Sequence, residues 1–151
     1  MVPSADRAVV VDPLTGVPTR ARLAAAIAGL KAAETPFALM VIDVDHFKSV
    51  NDAFGHARGD AVLVEVVGRL RSALRDGDDL FRYGGDEFVL LVREAGPERA
   101  EAVGRRLLDA VRGRAFEGAP PLTVTLSIGA ACFPGDAVDD AALFERADQR
   151  L

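Results

Sequence analysis

Two clusters of acidic residues have the types and spacing to do chemistry on a phosphate. The first is Gly84-Gly85-Asp86-Glu87-Phe88, set between the strand-like runs Asp79-Leu-Phe-Arg-Tyr83 and Val89-Leu-Leu-Val92. It reads as a β-hairpin with its acids at the tip, because paired glycines suit the positive φ angles of a tight primed turn. Glycine also lets a ligand approach the backbone closely, so phosphates and metals are natural guests. The second cluster, Asp43-Val44-Asp45, closes Phe37-Ala-Leu-Met-Val-Ile42, an unbroken apolar run that suggests a strand buried on both faces. Carboxylates are costly to bury, so acids ending a core strand meet solvent, a cation or a metal. His46-Phe47-Lys48-Ser-Val-Asn51-Asp52 then reads as a helix start, whose free N–H groups could hold phosphate oxygens with help from Lys48. Plainer alternatives stand beside both: a Gly-Gly hairpin with solvated acids, and a strand-to-helix turn with Asp45 as N-cap.

Positioning these acids falls to a single folded unit. The chain has 151 residues, half of them hydrophobic, which is near the usual domain size and enough to bury a core. After Pro18, residues 21–33 carry Leu23, Ile27 and Leu30 at helical spacing. A longer amphipathic pattern runs over 60–74 through Val62, Leu63, Val66, Val67 and Leu70, and Asp76-Gly77 stops it. Pro97 opens another helix, followed by a strand over 122–133 and a helical stretch around Ala141. Helices separated by strands that include a hairpin imply an α+β architecture.

Charge and hydropathy narrow the function classes. A net charge of -5 argues against a nonspecific nucleic-acid surface, so phosphate binding has to be local. No stretch approaches the roughly 18 apolar residues of a membrane span, and the N-terminus lacks a basic start followed by an apolar segment, so a cytoplasmic location is expected. The one cysteine, Cys132, reads as a small core residue.

Taken together, the motifs resemble the GGDEF family of diguanylate cyclases, which join two GTP molecules into cyclic di-GMP and release pyrophosphate. The likeness begins at Asp12-Pro-Leu-Thr-Gly-Val-Pro-Thr19-Arg20 and passes through Asp43-Val-Asp-His-Phe-Lys-Ser-Val-Asn51-Asp52. It continues through Gly55-His56-Ala-Arg-Gly59-Asp60-Ala-Val-Leu63 and Arg82-Tyr-Gly-Gly-Asp-Glu-Phe88 to Thr125-Leu-Ser-Ile-Gly129. It implies a mostly antiparallel sheet flanked by helices, related to nucleotide cyclases and polymerase palms, with a ferredoxin-like core.

The resemblance also implies roles. Asp43, the backbone carbonyl of Val44, and Asp86 would coordinate Mg²⁺ or Mn²⁺. Glu87 would ligate metal, help deprotonate the attacking hydroxyl, or both. The backbone at His46 and Phe47, with Lys48, would hold the triphosphate, and Gly84 and Gly85 would lie against substrate. Asn51 and Asp60 would read guanine, since an amide donates and accepts while a carboxylate accepts from N1–H and the amino group. Leu63 would pack beside the base; for Asp60 the plainer alternative is a helix N-cap. Arg75 and Asp78 match an inhibitory Arg-x-x-Asp site for cyclic di-GMP, where Arg forks onto phosphate or guanine acceptors.

Two departures from the family pattern bear on these expectations. Thr19 replaces the usual Asn, and the chain stops within a segment, Ala147-Asp148-Gln-Arg-Leu151, that resembles the start of a longer phosphate-binding tail. The expectation is therefore one catalytic domain over 1–151, truncated at its C-terminus, lacking an N-terminal regulatory domain, and active as a homodimer. A non-catalytic module that binds cyclic di-GMP or GTP is the rival expectation.

Overall fold

The computed structural model describes residues 10–151. Its centre is β1, Phe37–Val44, in which Phe37 through Ile42 are each no more than 1% exposed. A strand this apolar needs cover on both sides, and the chain supplies it.

Helix α1, Arg20–Ala32, precedes β1; α2, Phe47–Phe54, and α3, His56–Ala73, come after it. Then come β2, Asp79–Arg82, and β3, Glu87–Arg93, the helix α4, Pro97–Arg112, the strand β4, Leu126–Phe133, and α5, Asp140–Gln149. The sheet order is β2-β3-β1-β4 and every pairing is antiparallel. With helices between β1 and β2 and between β3 and β4, this is the β-α-β-β-α-β ferredoxin-like arrangement.

The pleat divides the core in two. Met40, Ile42 and Val44 face a cluster with Val62, Val66 and Leu70 of α3 and Val103 and Leu107 of α4. Phe37, Leu39 and Val41 face Leu23 and Ile27 of α1 and Leu143 and Ala147 of α5. Because the side-chain period of a strand is two, Asp43 falls on the α1/α5 side, and a one-residue slip would send it to the other.

Helices α3 and α4 stop each other. Arg69 of α3, only 6% exposed, donates to the carbonyls of Val111 and Arg114 at 2.6 Å and of Ala115 at 3.1 Å. Its guanidinium lies 3.8 Å from the Phe116 ring centroid and pairs with Glu65. In return, Arg106 of α4 donates Nε to the Ala73 carbonyl at 2.8 Å, at the last residue of α3. Final-turn carbonyls lack intrahelical donors, and cations suit that end of the macrodipole.

Two expected boundaries move. Helix α3 begins at His56, so Asp60 sits inside the helix and is not its N-cap. Its first turn is polar and carries no apolar periodicity, and the break from α2 is made by Gly55 at φ 88°. The last strand starts at Leu126; Leu122 instead bridges to Phe116 through bonds of 2.7 and 2.9 Å.

Candidate active site

Register sets the acids together. Asp43 on β1 lies directly opposite Glu87 on β3, with Ser127 on β4 at its other side. Directly opposed side chains sit about 4.5–5.5 Å apart at Cβ, and like charges there repel. Asp86 is held next to them, because the Val44 N–H donates to the Asp86 carbonyl at 3.1 Å.

The electrostatics reflect this crowding. Burial raises the pKa of Asp43, and the negative charges of Asp86, Asp45 and Asp148 raise it further. Burial and then Asp43, Asp148 and Asp86 raise Glu87, against which Arg20 acts weakly in the other direction. Carboxylates that share a site hold their protons more tightly, and an added cation would relieve the repulsion.

Among the described residues, no three Asp, Glu, His or Cys side chains form a preassembled metal cage. A hard cation commonly takes one or two carboxylates from protein and the rest of its oxygens from phosphates and water. Asp43, Asp86 and Glu87, all partly exposed, have the chemistry and the unrelieved charge for such an ion.

The hairpin tip differs from a primed two-residue turn. Neither Gly84 nor Gly85 takes a positive φ. Residues 83–86 form a four-residue loop, closed by bonds from the Tyr83 and Gly84 amides to the Glu87 carbonyl at 2.8 and 3.0 Å. Arg82 holds that loop, donating Nη2 to the Gly85 carbonyl at 2.7 Å and Nε to the Gly84 carbonyl at 3.3 Å. Its Nη1 also reaches Asp12 at 3.0 Å, so a charged side chain does the work expected of glycine geometry.

The segment expected to meet phosphate is the start of α2. His46 is the N-cap residue and adopts a left-handed conformation at φ 57°, with no side-chain cap to the helix amides. For a residue with a Cβ that conformation costs roughly 1–2 kcal/mol, so neighbours must hold it. Phe47 anchors one side by burial, while Lys48 projects at the exposed surface. Asp45 is not the N-cap: it accepts the hydroxyls of Thr125 and Ser127.

The base-reading candidates separate. Asn51 keeps a buried Oδ1 with no hydrogen-bond partner, an acceptor awaiting a donor. Asp60 is exposed on α3, one turn from the helix start. Leu63 is 2% exposed inside the core cluster and is not presented at an open surface.

Arg75 and Asp78 lie apart from the acids in a tight turn. The Arg75 amide donates to the Asp78 carboxylate at 3.2 Å, and the Asp78 amide to the Arg75 carbonyl at 3.1 Å. They line a polar cavity of ≈280 Å³ together with Pro18 and Arg71. A roomier cavity of ≈500 Å³ lies between α4 and β4, over Met40, Gly104 and Ile128. Its wall is mainly apolar and holds none of the motif acids.

The partners that tune these groups carry no local signal in the sequence. Arg20 lies 4.4 Å over the Tyr83 ring, and Tyr83 packs against Phe144 with centroids 5.3 Å apart. These contacts join α1, the hairpin loop and α5, segments with no shared local pattern, so only tertiary structure reveals them.

Comparison with known proteins agrees with this geometry. The family model described as diguanylate cyclase, GGDEF domain, matches residues 9–151. Diguanylate cyclase DgcP of Pseudomonas aeruginosa is 42% identical over 150 residues, covering 93% of this chain and 22% of that protein. The chain thus spans about a fifth of that relative, and 32% of the probable diguanylate cyclase DgcT of Escherichia coli, which is 37% identical. Among solved structures, diguanylate cyclase SiaD of Pseudomonas aeruginosa, crystallised with its activator SiaC, superposes with a TM-score of 0.86 at 34% identity, covering 97% of this chain and 58% of that one. The coiled coil and GGDEF domain of DgcB from Caulobacter crescentus, in complex with c-di-GMP, gives 0.84 at 25% identity over 97% of this chain and 80% of that one. With the family model matched over nearly the whole chain and relatives at 37–42% identity, the chain belongs to the GGDEF domain family of diguanylate cyclases.

Proposed function

We propose that this domain condenses two GTP molecules into cyclic di-GMP and pyrophosphate, working as a pair of copies that each carry one GTP. The observation that carries the reading is the placement of Asp43 opposite Glu87, beside the uncapped start of α2. One end gathers negative charge for a cation, and the other offers amides to phosphate.

In this reading the 3′-hydroxyl of one GTP attacks the α-phosphorus of the other, pyrophosphate leaves, and the reciprocal step closes the ring. Asp43, the Val44 carbonyl, Asp86 and Glu87 would hold Mg²⁺ or Mn²⁺, which when bound stabilises charge on the phosphate oxygens. Glu87 takes the hydroxyl proton, a role suited to a carboxylate whose proton affinity is raised by burial and by Asp43. The amides of His46 and Phe47 and the ammonium of Lys48 orient the triphosphate. Asn51 offers its unpartnered Oδ1 to a guanine donor, and Asp60 accepts a second. Backbone at Gly84 and Gly85, unobstructed by side chains, lets substrate approach the loop.

Arg75 and Asp78 supply a separate cyclic di-GMP site through which product restrains the reaction. Its cavity does not depend on the acids, which keeps open the second reading, a module that binds the nucleotide without turning it over. Among the described residues no helix is long and apolar enough to cross a membrane.

Chromatography of products after incubation with GTP and Mg²⁺, across a range of protein concentrations, tests the proposal. Cyclic di-GMP that rises more steeply than protein concentration supports a paired catalyst. Asp86→Ala with Glu87→Ala should abolish product while leaving cyclic di-GMP binding intact. No product from folded, paired protein would leave the binding module as the better account.

A further inference from the structure

Two residues, Asp45 and His46, link β1 to α2, and the reaction as outlined leaves the Asp45 side chain and the left-handed backbone of His46 unexplained. Each oxygen of the Asp45 carboxylate accepts a hydroxyl: Thr125 donates Oγ1 to Oδ2 at 2.7 Å, and Ser127 donates Oγ to Oδ1 at 2.6 Å. The Asp45 amide adds a third tie, to the Thr125 carbonyl at 3.0 Å. Thr125 and Ser127 are two residues apart, so they present their hydroxyls on one side of the strand that begins at Leu126. Each carboxylate oxygen takes one hydroxyl, an arrangement that fixes the rotamer and that an amide, with a single oxygen, cannot reproduce.

Next in the chain come the left-handed His46 and the buried Phe47. An unfavourable backbone conformation persists only where its surroundings over-determine it. Phe47 fixes the far side of His46, and the Asp45 brace fixes the near side.

We propose that Asp45 is a positioning residue which, braced on β4 by Thr125 and Ser127, aims the His46 and Phe47 amides at the outer phosphates of a bound nucleoside triphosphate. The proposal rests on the nucleotide-binding reading above. It assigns to Ser127, on the edge strand, and Thr125, just before it, a role in phosphate orientation with no contact to the substrate.

Calorimetric titration of GTP and of GMP, which lacks the β- and γ-phosphates, into the full chain provides the test. In Thr125→Val with Ser127→Ala, GTP affinity should fall about tenfold while GMP affinity changes less than about twofold, the consequence of releasing hydrogen bonds to a charged group that serves only the outer phosphates. Thr125→Ser, which keeps the hydroxyl, should retain the GTP affinity of the unsubstituted chain. Thr125 is exposed, so Thr125→Val alone carries the test if the double variant does not fold. Equal losses for GTP and GMP would reduce the brace to a structural contact and overturn the proposal. Unchanged GTP affinity would overturn it too. An unsubstituted chain that binds no GTP would overturn the nucleotide reading itself, and the brace with it.

Discussion

Arg82 forks onto Asp12, with Nη1 at 3.0 and 3.1 Å from the two carboxylate oxygens, while its other nitrogens hold the carbonyls of Gly84 and Gly85. Asp12 is itself the hub of the preceding turn, accepting from the Thr15 amide at 2.9 Å and the Thr15 hydroxyl at 2.5 Å. The Arg82 amide donates to the Pro18 carbonyl at 2.8 Å, so one residue fastens the N-terminal turn to the acidic loop by both backbone and side chain.

Replacing Arg82 therefore disturbs the loop before it disturbs the core. Lysine keeps the charge but loses the planar fork. Arg82→Lys should lower stability by about 1–3 kcal/mol, the worth of hydrogen bonds to charged groups. It should lower cyclase turnover by about tenfold through misplacement of Asp86 and Glu87. Urea titration and product chromatography on the same sample separate the two effects.

Asp12 adds a pH dependence of known sign. Burial alone would raise its pKa, but hydrogen bonds from Thr15 and Arg82 reverse that and hold it below the usual 3.8. A depressed folded pKa contributes stability that is present above the unfolded value and lost as pH falls through the folded one. Asp12→Asn should accordingly flatten the acid limb of the stability curve below pH about 4, while lowering stability at neutral pH. Thermal melts from pH 7 down to the acid transition measure this.

The opposition of Asp43 and Glu87 makes the contrary prediction. Their raised pKa values mean that ionisation is disfavoured in the folded chain, a penalty absent below the unfolded carboxylate range near about 4 and complete above the folded pKa. In metal-free buffer at neutral pH, Asp43→Asn should raise the melting temperature by about 2–4 °C, since a directly opposed like-charge pair is worth up to about 1 kcal/mol. Turnover should fall by about 100-fold or more, the usual cost of removing preorganised charge stabilisation. Added Mg²⁺ with GTP should stabilise the unsubstituted chain more than the variant, and equal shifts in both would count against Asp43 as a ligand.

The sheet and the acids were legible in the sequence because each is written locally. The apolar run from Phe37 to Ile42 suggests a strand covered on both faces, which is what forms, and the motif blocks mark where it ends. The start of α3 was not legible, because His56, Ala57 and Arg58 bury no stripe. The hairpin tip misled for a different reason. Paired glycines license a primed turn, but Arg82 has carbonyls to hold and selects a longer loop without positive φ. The alternative of Asp45 as an N-cap stood open in the sequence since its hydroxyl donors, Thr125 and Ser127, are brought close only by β1–β4 pairing.

Arg69 tests the reciprocal capping of α3 and α4. Its buried guanidinium satisfies one carbonyl in the last turn of α4 and two just beyond it, and stacks on Phe116. Arg69→Ala leaves those acceptors without donors and opens space against the ring. Stability should drop by about 3–5 kcal/mol, the cost of breaking a buried charged network. Arg69→Lys should recover little of it, because an ammonium cannot span the carbonyls in one plane. Denaturant unfolding measures both, and a loss under about 1 kcal/mol would show that water replaces the cap.

Gly59 offers the sharpest separation of site from scaffold. A Cβ built there would stand 1.8 Å from Asn51 Oδ1 and 3.2 Å from Phe47 Cζ. The first contact is with the end of a side chain, so Gly59→Ala can be accommodated by turning Asn51 away while α2 and α3 stay packed. Moving Asn51 removes the buried acceptor that the proposed function assigns to guanine. The expected result is a GTP affinity lower by about tenfold, within the range for one lost hydrogen bond at a buried polar group, with a stability change under about 1 kcal/mol. ATP, whose base presents a different donor pattern, should lose less, so the preference for GTP narrows. Competition titrations with the two nucleotides read this directly. If Gly59→Ala instead unfolds the domain, the tight α2–α3 contact is a packing requirement; if GTP preference survives in a folded variant, Asn51 does not read the base.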